Sequence, residues 1–208
     1  MRFVLLVEGY TEQKAIPAFL KRWLDPRLNQ KVGIQTVRFE GWPELVKDMR
    51  DRTLMYLASP KSTEIIAVIA LLDLYGPTFY PDDLNSAEER VTWATKDLER
   101  RVGRERFRVF FAVHEVEAWL LSNPGLFPKP VRKALPARAQ QPETVNFDEP
   151  PAKLLQRLYV EKSTRTYKKV TDGKALFAQL DPEAVYSKCP HFRQMMDIML
   201  QLARDVEL

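Results

Sequence analysis

Three acids stand where an apolar run ends: Glu8 after residues 3–7, Asp73 after residues 65–72, and Glu115 shortly after residues 109–112. A carboxylate at the tip of a buried strand is costly without a partner, a hydrogen bond or a metal. Any one such acid has an ordinary alternative as a helix cap. Three at equivalent positions point instead to a shared acidic cluster, with Glu12 and Glu117 one turn or less away. Clustered carboxylates repel one another unless a cation neutralises them, and oxygen ligands of this kind suit Mg²⁺ or Mn²⁺. Such an ion orients a phosphate and activates water. Glu115 and Glu117 are two residues apart and do not share a helix face, so one of the two is expected to enter the cluster.

The elements that must position these acids follow from the apolar pattern. The spacing predicts strands over residues 2–7, 32–39, 64–72 and 106–113. Helices are predicted over residues 11–24, 43–57, 86–102 and 116–121. The run at residues 65–72 has no polar break, as expected for a strand covered on both faces. The alternation at residues 32–39 is imperfect and places that strand nearer a sheet edge. Pro17 is a flaw in the first helix, because it removes one intrahelical bond. The alternating order predicts an α/β fold: a Rossmann-like, mostly parallel sheet flanked by helices. In such sheets the functional crevice lies beyond the carboxyl ends of the strands, where the three acids stand.

After Asn123 the character changes. Prolines punctuate short helices, basic residues accumulate, and a last helix is predicted over residues 191–206, with its methionines mostly on one side. Residues 1–123 are therefore read as the α/β domain and 124–208 as a helical extension packed on it. The chain has 208 residues, a formal net charge of +4 and one cysteine. A disulfide framework and a Cys-based zinc site are excluded. No stretch reaches the length of a membrane span, the N-terminal run does not read as a signal peptide, and the expected compartment is the cytoplasm. No Gly-x-x-x-x-Gly-Lys run is present, so an ATPase of that class is excluded.

Val7-Glu8-Gly9-x-Thr11-Glu12 resembles the first motif of the TOPRIM fold. Asp73-Leu74-Tyr75-Gly76, the block from His114 to Leu121, and Cys189-Pro190-His191-Phe192 resemble a bacterial family of stand-alone TOPRIM-like proteins. That family is related to the TOPRIM nuclease domain of OLD-family proteins. The segments around Asn146, Pro151-Ala152-Lys153 and Tyr167-Lys168-Lys169-Val170-x-x-Gly173 are similar to it as well. The resemblance implies a TOPRIM-like fold with Glu8 as metal ligand or general acid/base and Asp73 as the first acid of an Asp-x-Asp motif. Tyr75 stands where the second aspartate is expected, and Glu12, Glu115 or Glu117 is the candidate replacement ligand.

The expected metal ligands are thus Glu8, Glu12, Asp73, Glu115 and Glu117. Lys153, Lys169 and Lys174 are the candidates for contacting a nucleic-acid phosphate, with Lys153 placed beside Glu8 and Asp73 in the chemistry. Each basic residue has the alternative of a solvated helix face. Tyr75 and Tyr167 are read either as base-stacking or as packing residues, and His114 as a base or a structural histidine. Cys189 lacks an activating constellation. The function expected is metal-dependent phosphodiester hydrolysis of nucleic acid. By resemblance, this takes place in a defence or toxin-like context with an AAA-type ATPase partner. The alternative is a non-catalytic subunit that binds such an ATPase or nucleic acid. Topoisomerase and primase chemistry would require modules that this length does not hold.

Overall fold

The structure is a computed structural model that describes residues 1–144, 149–163 and 165–207. Asn146 lies outside the described residues. Four apolar runs form β1 (Arg2–Val7), β2 (Gly33–Arg38), β3 (Ile65–Asp73) and β4 (Phe107–Ala112). They make one parallel sheet in the order β2-β1-β3-β4. The two central strands, β1 and β3, are covered on both faces and carry the least interrupted apolar runs, as such burial demands. β2 is half-buried and lies at an edge, which accounts for its broken alternation.

The crossovers are α1 (Tyr10–Leu24), α2 (Trp42–Leu57) and α3 (Ala87–Val102). α1 continues through Pro17. α3 opens with a reciprocal capping box between Ser86 and Glu89 and closes on Gly103 at φ 63°. Successive strand residues face opposite layers. Phe3, Leu5 and Val7 pack with Ile16, Phe19 and Leu20 of α1. Val4 and Leu6 pack with Leu45 and Met49 of α2 and with Ala94 and Leu98 of α3. The winding therefore reverses between β1 and β3. Their carboxyl ends border the crevice in which doubly wound sheets bind ligands.

The rest of the described chain is helical: α4 (Glu117–Leu121), α5 (Lys129–Lys133), α6 (Pro151–Lys162), α7 (Lys169–Gln179), α8 (Pro182–Lys188) and α9 (Pro190–Asp205). Pro151, Pro182 and Pro190 each open a helix, where the missing N–H costs nothing. These helices share the apolar layer of α1. At its centre the indole of Trp119 stacks on Phe19 at 6.1 Å and meets Phe177 and Phe192 edge-on at 6.4 and 4.8 Å. One aromatic cluster thus ties α4 to α1, α7 and α9. Among the described residues no helix is long and apolar enough to cross a membrane.

Candidate functional site

Glu8 and Asp73 sit at the tips of the two central strands and are bonded to each other's surroundings. The Asp73 amide donates to Glu8 Oε1 at 2.8 Å, and Asp73 Oδ1 accepts from the Val116 amide at 3.2 Å. Parallel pairing continues past the end of β3, with the Leu74 amide donating to the Ala112 carbonyl and the Tyr75 amide to the His114 carbonyl, both at 2.9 Å. The acids are therefore carried on a locked edge of backbone rather than on a loose loop. His114 takes a left-handed backbone, φ 69°, which is uncommon for a residue with a Cβ. Burial pushes its imidazole down to about 4, partly opposed by a hydrogen bond with the Glu143 backbone. The ring is therefore neutral at neutral pH.

The next two acids come from helices. Glu12 is buried in the first turn of α1, with Oε2 only 2.6 Å from where a Cβ at Gly9 would stand. The glycine leaves the space that this carboxylate fills. Glu117 opens α4 and is fully buried. Its orientation is set by Trp119, two residues on and therefore away from the Glu117 face, held in the aromatic cluster. Glu115 turns elsewhere: its Oε2 accepts the Ala152 amide at 3.1 Å and so satisfies the N-terminus of α6.

Opposite these acids stands Lys169, the first residue of α7, with Nζ 3.2 Å from Glu117 Oε2. Its place follows from how closely α7 docks on α1. Gly173, one turn further on, lies against α1 so tightly that a Cβ would be 3.2 Å from Thr11 Cγ2. At the other end of α7 the Arg22 guanidinium donates to the carbonyls of Phe177 at 2.7 Å and Leu180 at 2.6 Å, and also to that of Ala178. A close helix contact and a charged C-terminal clamp fix α7, and Lys169 is carried into the acidic face.

Glu8, Glu12, Asp73, Glu115 and Glu117 all interact electrostatically with Lys169. Burial raises Glu8 to about 7, offset in part by the Asp73 amide and reinforced by Glu12. Burial likewise raises Glu117 to about 7, against the pull of Lys169. Asp73 is held well above the usual carboxylate range by burial and by Glu12. For Lys169, burial works against the charge. The carboxylates of Glu117, Asp73, Glu115 and Glu12 more than compensate and hold the ammonium above its ordinary range. One ammonium faces five carboxyl groups, so the site carries excess negative charge whenever those groups are ionised.

Not every predicted residue joins this group. Lys153 and Lys174 are exposed on α6 and α7, and neither makes an ion pair among the described residues. Of the three lysines, Lys169 is the one brought to the acids, so the expected place of Lys153 beside Glu8 and Asp73 passes to Lys169. Lys153 follows Ala152 directly, but the helix turns its side chain outward. Tyr167 is buried with its ring 5.6 Å from Tyr159 and is a packing residue. Tyr75 is exposed. Cys189 is buried beside Ser122 at 3.4 Å, and burial pushes its thiol up to about 12, which leaves it inert. Sequence reasoning did not find the Arg22 clamp or the Gly9 recess, since both depend on contacts made only in the folded chain.

The donor set suits a hard divalent cation in kind, being carboxylate oxygen throughout. Among the described residues Glu117 Oε2 is ion-paired with Lys169 and Oε1 accepts no hydrogen bond, the kind of orphaned atom a cation would satisfy. Among the described residues no three acid, histidine or cysteine side chains converge closely enough to chelate an ion as they stand, and Lys169 supplies the positive charge.

The family described as Domain of unknown function (DUF4276) matches residues 7–200 of the chain. No curated protein matches it. Among solved structures it is similar to the C-terminal region of the Burkholderia pseudomallei OLD protein, with 18% identity over 98% of each chain and a TM-score of 0.49. It is also similar to the C-terminal region of the Xanthomonas campestris pv. campestris OLD protein, with 19% identity over 95% of this chain and 97% of that one, at a TM-score of 0.40.

Proposed function

The chain belongs to the DUF4276 family, and we propose that it is a nuclease, a phosphodiesterase that cuts nucleic acid with the help of Mg²⁺ or Mn²⁺. The observation that carries this reading is the group of Glu8, Glu12, Asp73 and Glu117 gathered around the half-buried Lys169 at the carboxyl ends of β1, β3 and β4. Glu8, Asp73 and Glu117 would hold the cation, with Glu12 beside them. When bound, the ion would neutralise the phosphate and make water a stronger nucleophile. Lys169 is charged across the physiological range and suits a non-bridging phosphate oxygen. Without the ion Glu8 is raised to about 7, so taking up the ion near neutral pH would release a proton from it. Glu115 is occupied with the N-terminus of α6 and steadies the wall of the site.

The test is cleavage of labelled DNA, RNA and tRNA with Mn²⁺ or Mg²⁺, by the wild-type chain and by Glu8→Gln. Glu8→Gln removes the ionisable group and keeps the oxygen that bonds the Asp73 amide. Cleavage by the wild type alone supports the reading. Intact substrates throughout, with an ATPase partner present, sink it. A second reading is favoured by Tyr75, which stands where the TOPRIM resemblance expects an acid. In that reading the chain is a non-catalytic subunit bound to an AAA-type ATPase or to nucleic acid.

A further inference from the structure

The chain has eleven Phe, four Trp and seven Tyr. Among the described residues only two of these aromatic side chains are exposed: Tyr10 at 49% and Tyr75 at 36%. Both stand two residues beyond an acid of the site, Tyr10 after Glu8 and Tyr75 after Asp73. β1 and β3 are hydrogen-bonded neighbours, with Val7 opposite Leu71. The two residues therefore follow the same, carboxyl end of adjacent strands, the end that carries Glu8 and Asp73.

Exposing a large ring to water has no folding benefit, and every other described aromatic side chain is at least partly covered. Neither residue is on a floppy segment. Tyr75 is anchored through its own amide to the His114 carbonyl at 2.9 Å, and the chain turns away only at Gly76, φ 109°. Tyr10 is the first residue of α1, with Lys14 one turn on and its ammonium 5.3 Å from the ring centroid. The backbone thus places two exposed tyrosines just beyond the acid-bearing tips of β1 and β3, one of them with the Lys14 ammonium over its ring.

We infer that Tyr10 and Tyr75 form a stacking platform for unpaired bases, so that the substrate is single-stranded nucleic acid. This rests on the nuclease reading and adds the substrate class. A ring that stacks on a base gains from any base identity, since each base offers a π face, and the contact is closed to bases paired within a duplex. Lys14 and Lys169 then meet the phosphates on either side of the stacked base. The platform gives strand selectivity with little sequence selectivity.

The experiment is fluorescence anisotropy with Ca²⁺ in place of Mg²⁺, using three labelled probes of equal length: a thymidine oligonucleotide, its duplex with the complementary strand, and an abasic strand with the same phosphates. The wild-type chain should prefer the thymidine strand to both others. Tyr10→Ala and Tyr75→Ala should each weaken that binding about 5- to 100-fold and leave the abasic strand unaffected, while Tyr10→Phe and Tyr75→Phe retain it. Both tyrosines are exposed, so an unchanged melting temperature will show that the alanine variants are folded. Equal affinity for the abasic strand, preference for the duplex, or indifference to both alanine substitutions overturns the platform and leaves the nuclease reading standing. Absence of binding by the wild type to all three probes and to a uridine RNA of the same length overturns both.

Discussion

The molecule buries carboxyl groups in two ways. At the start of α9, Glu143 accepts the amides of His191 at 3.0 Å and Phe192 at 3.3 Å. Burial raises its proton affinity, and those backbone bonds, the first of them the largest, pull it back. At the strand tips, burial raises Glu8, Asp73 and Glu117 as well, and neighbouring carboxyl groups raise them further. The first arrangement satisfies orphan helix amides and stabilises the fold. The second is answered only in part, by the Asp73 amide at Glu8 and the Val116 amide at Asp73, and works against stability when ionised. A buried acid is therefore not a functional sign by itself. What separates the two places is that neighbouring carboxyl groups add to the effect of burial at the strand tips, whereas amides and cationic neighbours oppose it at Glu143.

That contrast can be broken by substitution, and the largest effect is expected at the strand tips. Glu8→Gln should lower cleavage by at least about 100-fold, the equivalent of about 3 kcal/mol in the barrier. Glu143→Gln should leave cleavage unchanged. If both variants cut as the wild type does, the two acidic places are equivalent and the strand-tip site is structural. Next in size is Glu143→Ala, which leaves two α9 amides without their acceptor. It should cost about 1–3 kcal/mol, read as a drop in melting temperature of about 2–4 °C per kcal/mol for a chain of this size. An unchanged melting temperature would show that water replaces the carboxylate there.

The third expectation concerns pH. Glu8 and Glu117 are raised in the folded state from the ordinary 4.5 to about 7. The folded chain therefore binds more protons than the unfolded chain between those values. Stability is greatest below about pH 4.5 on this account and is lost progressively as pH rises towards about 7. Lys169 stays charged throughout that window and does not offset the loss. Metal-free protein should melt at lower temperature at pH 8 than at pH 5, by on the order of 1–2 kcal/mol for each group. Glu117→Gln should flatten the slope, and Mn²⁺ should restore stability at the upper end. A melting temperature independent of pH over this range, or a slope unchanged in Glu117→Gln, would contradict the electrostatic account of the cluster.

Much of the architecture is legible in the residues themselves. The unbroken run at Ile65–Asp73 reads as a doubly covered strand because both faces of β3 are apolar layers. The half-buried pattern of Gly33–Arg38 reads as an edge for the converse reason. Ser86 and Glu89 have the spacing of the capping box that they form. The acids at strand ends are legible because the apolar runs stop at them. Their partners are not. Nothing local tells that Glu115 caps α6 through Ala152 or that Lys169 rather than Lys153 turns to the acids. Both follow from how α6 and α7 are docked; for α7, Gly173 and Arg22 fix the docking through contacts distant in the chain.

The finest distinction between the two acidic places lies at Gly9. Its backbone is extended, φ −142° and ψ −179°, a conformation any residue adopts. Gly9→Ala therefore introduces no backbone strain. The added methyl would, however, stand 2.6 Å from Glu12 Oε2, and the carboxylate must swing aside. Because the displaced atom is the end of a flexible side chain, the change in stability should stay within about 0.5 kcal/mol. If Glu12 helps to hold the cation, Mn²⁺ affinity measured by calorimetry should weaken by up to about tenfold, at the low end of what disturbed metal surroundings cost. Unchanged affinity together with unchanged stability would remove Glu12 from the ligand set and leave Glu8, Asp73 and Glu117 to carry the site. A large loss of stability would instead make Glu12 a structural acid, as Glu143 is, and the line between the two acidic places would have to be redrawn inside the first turn of α1.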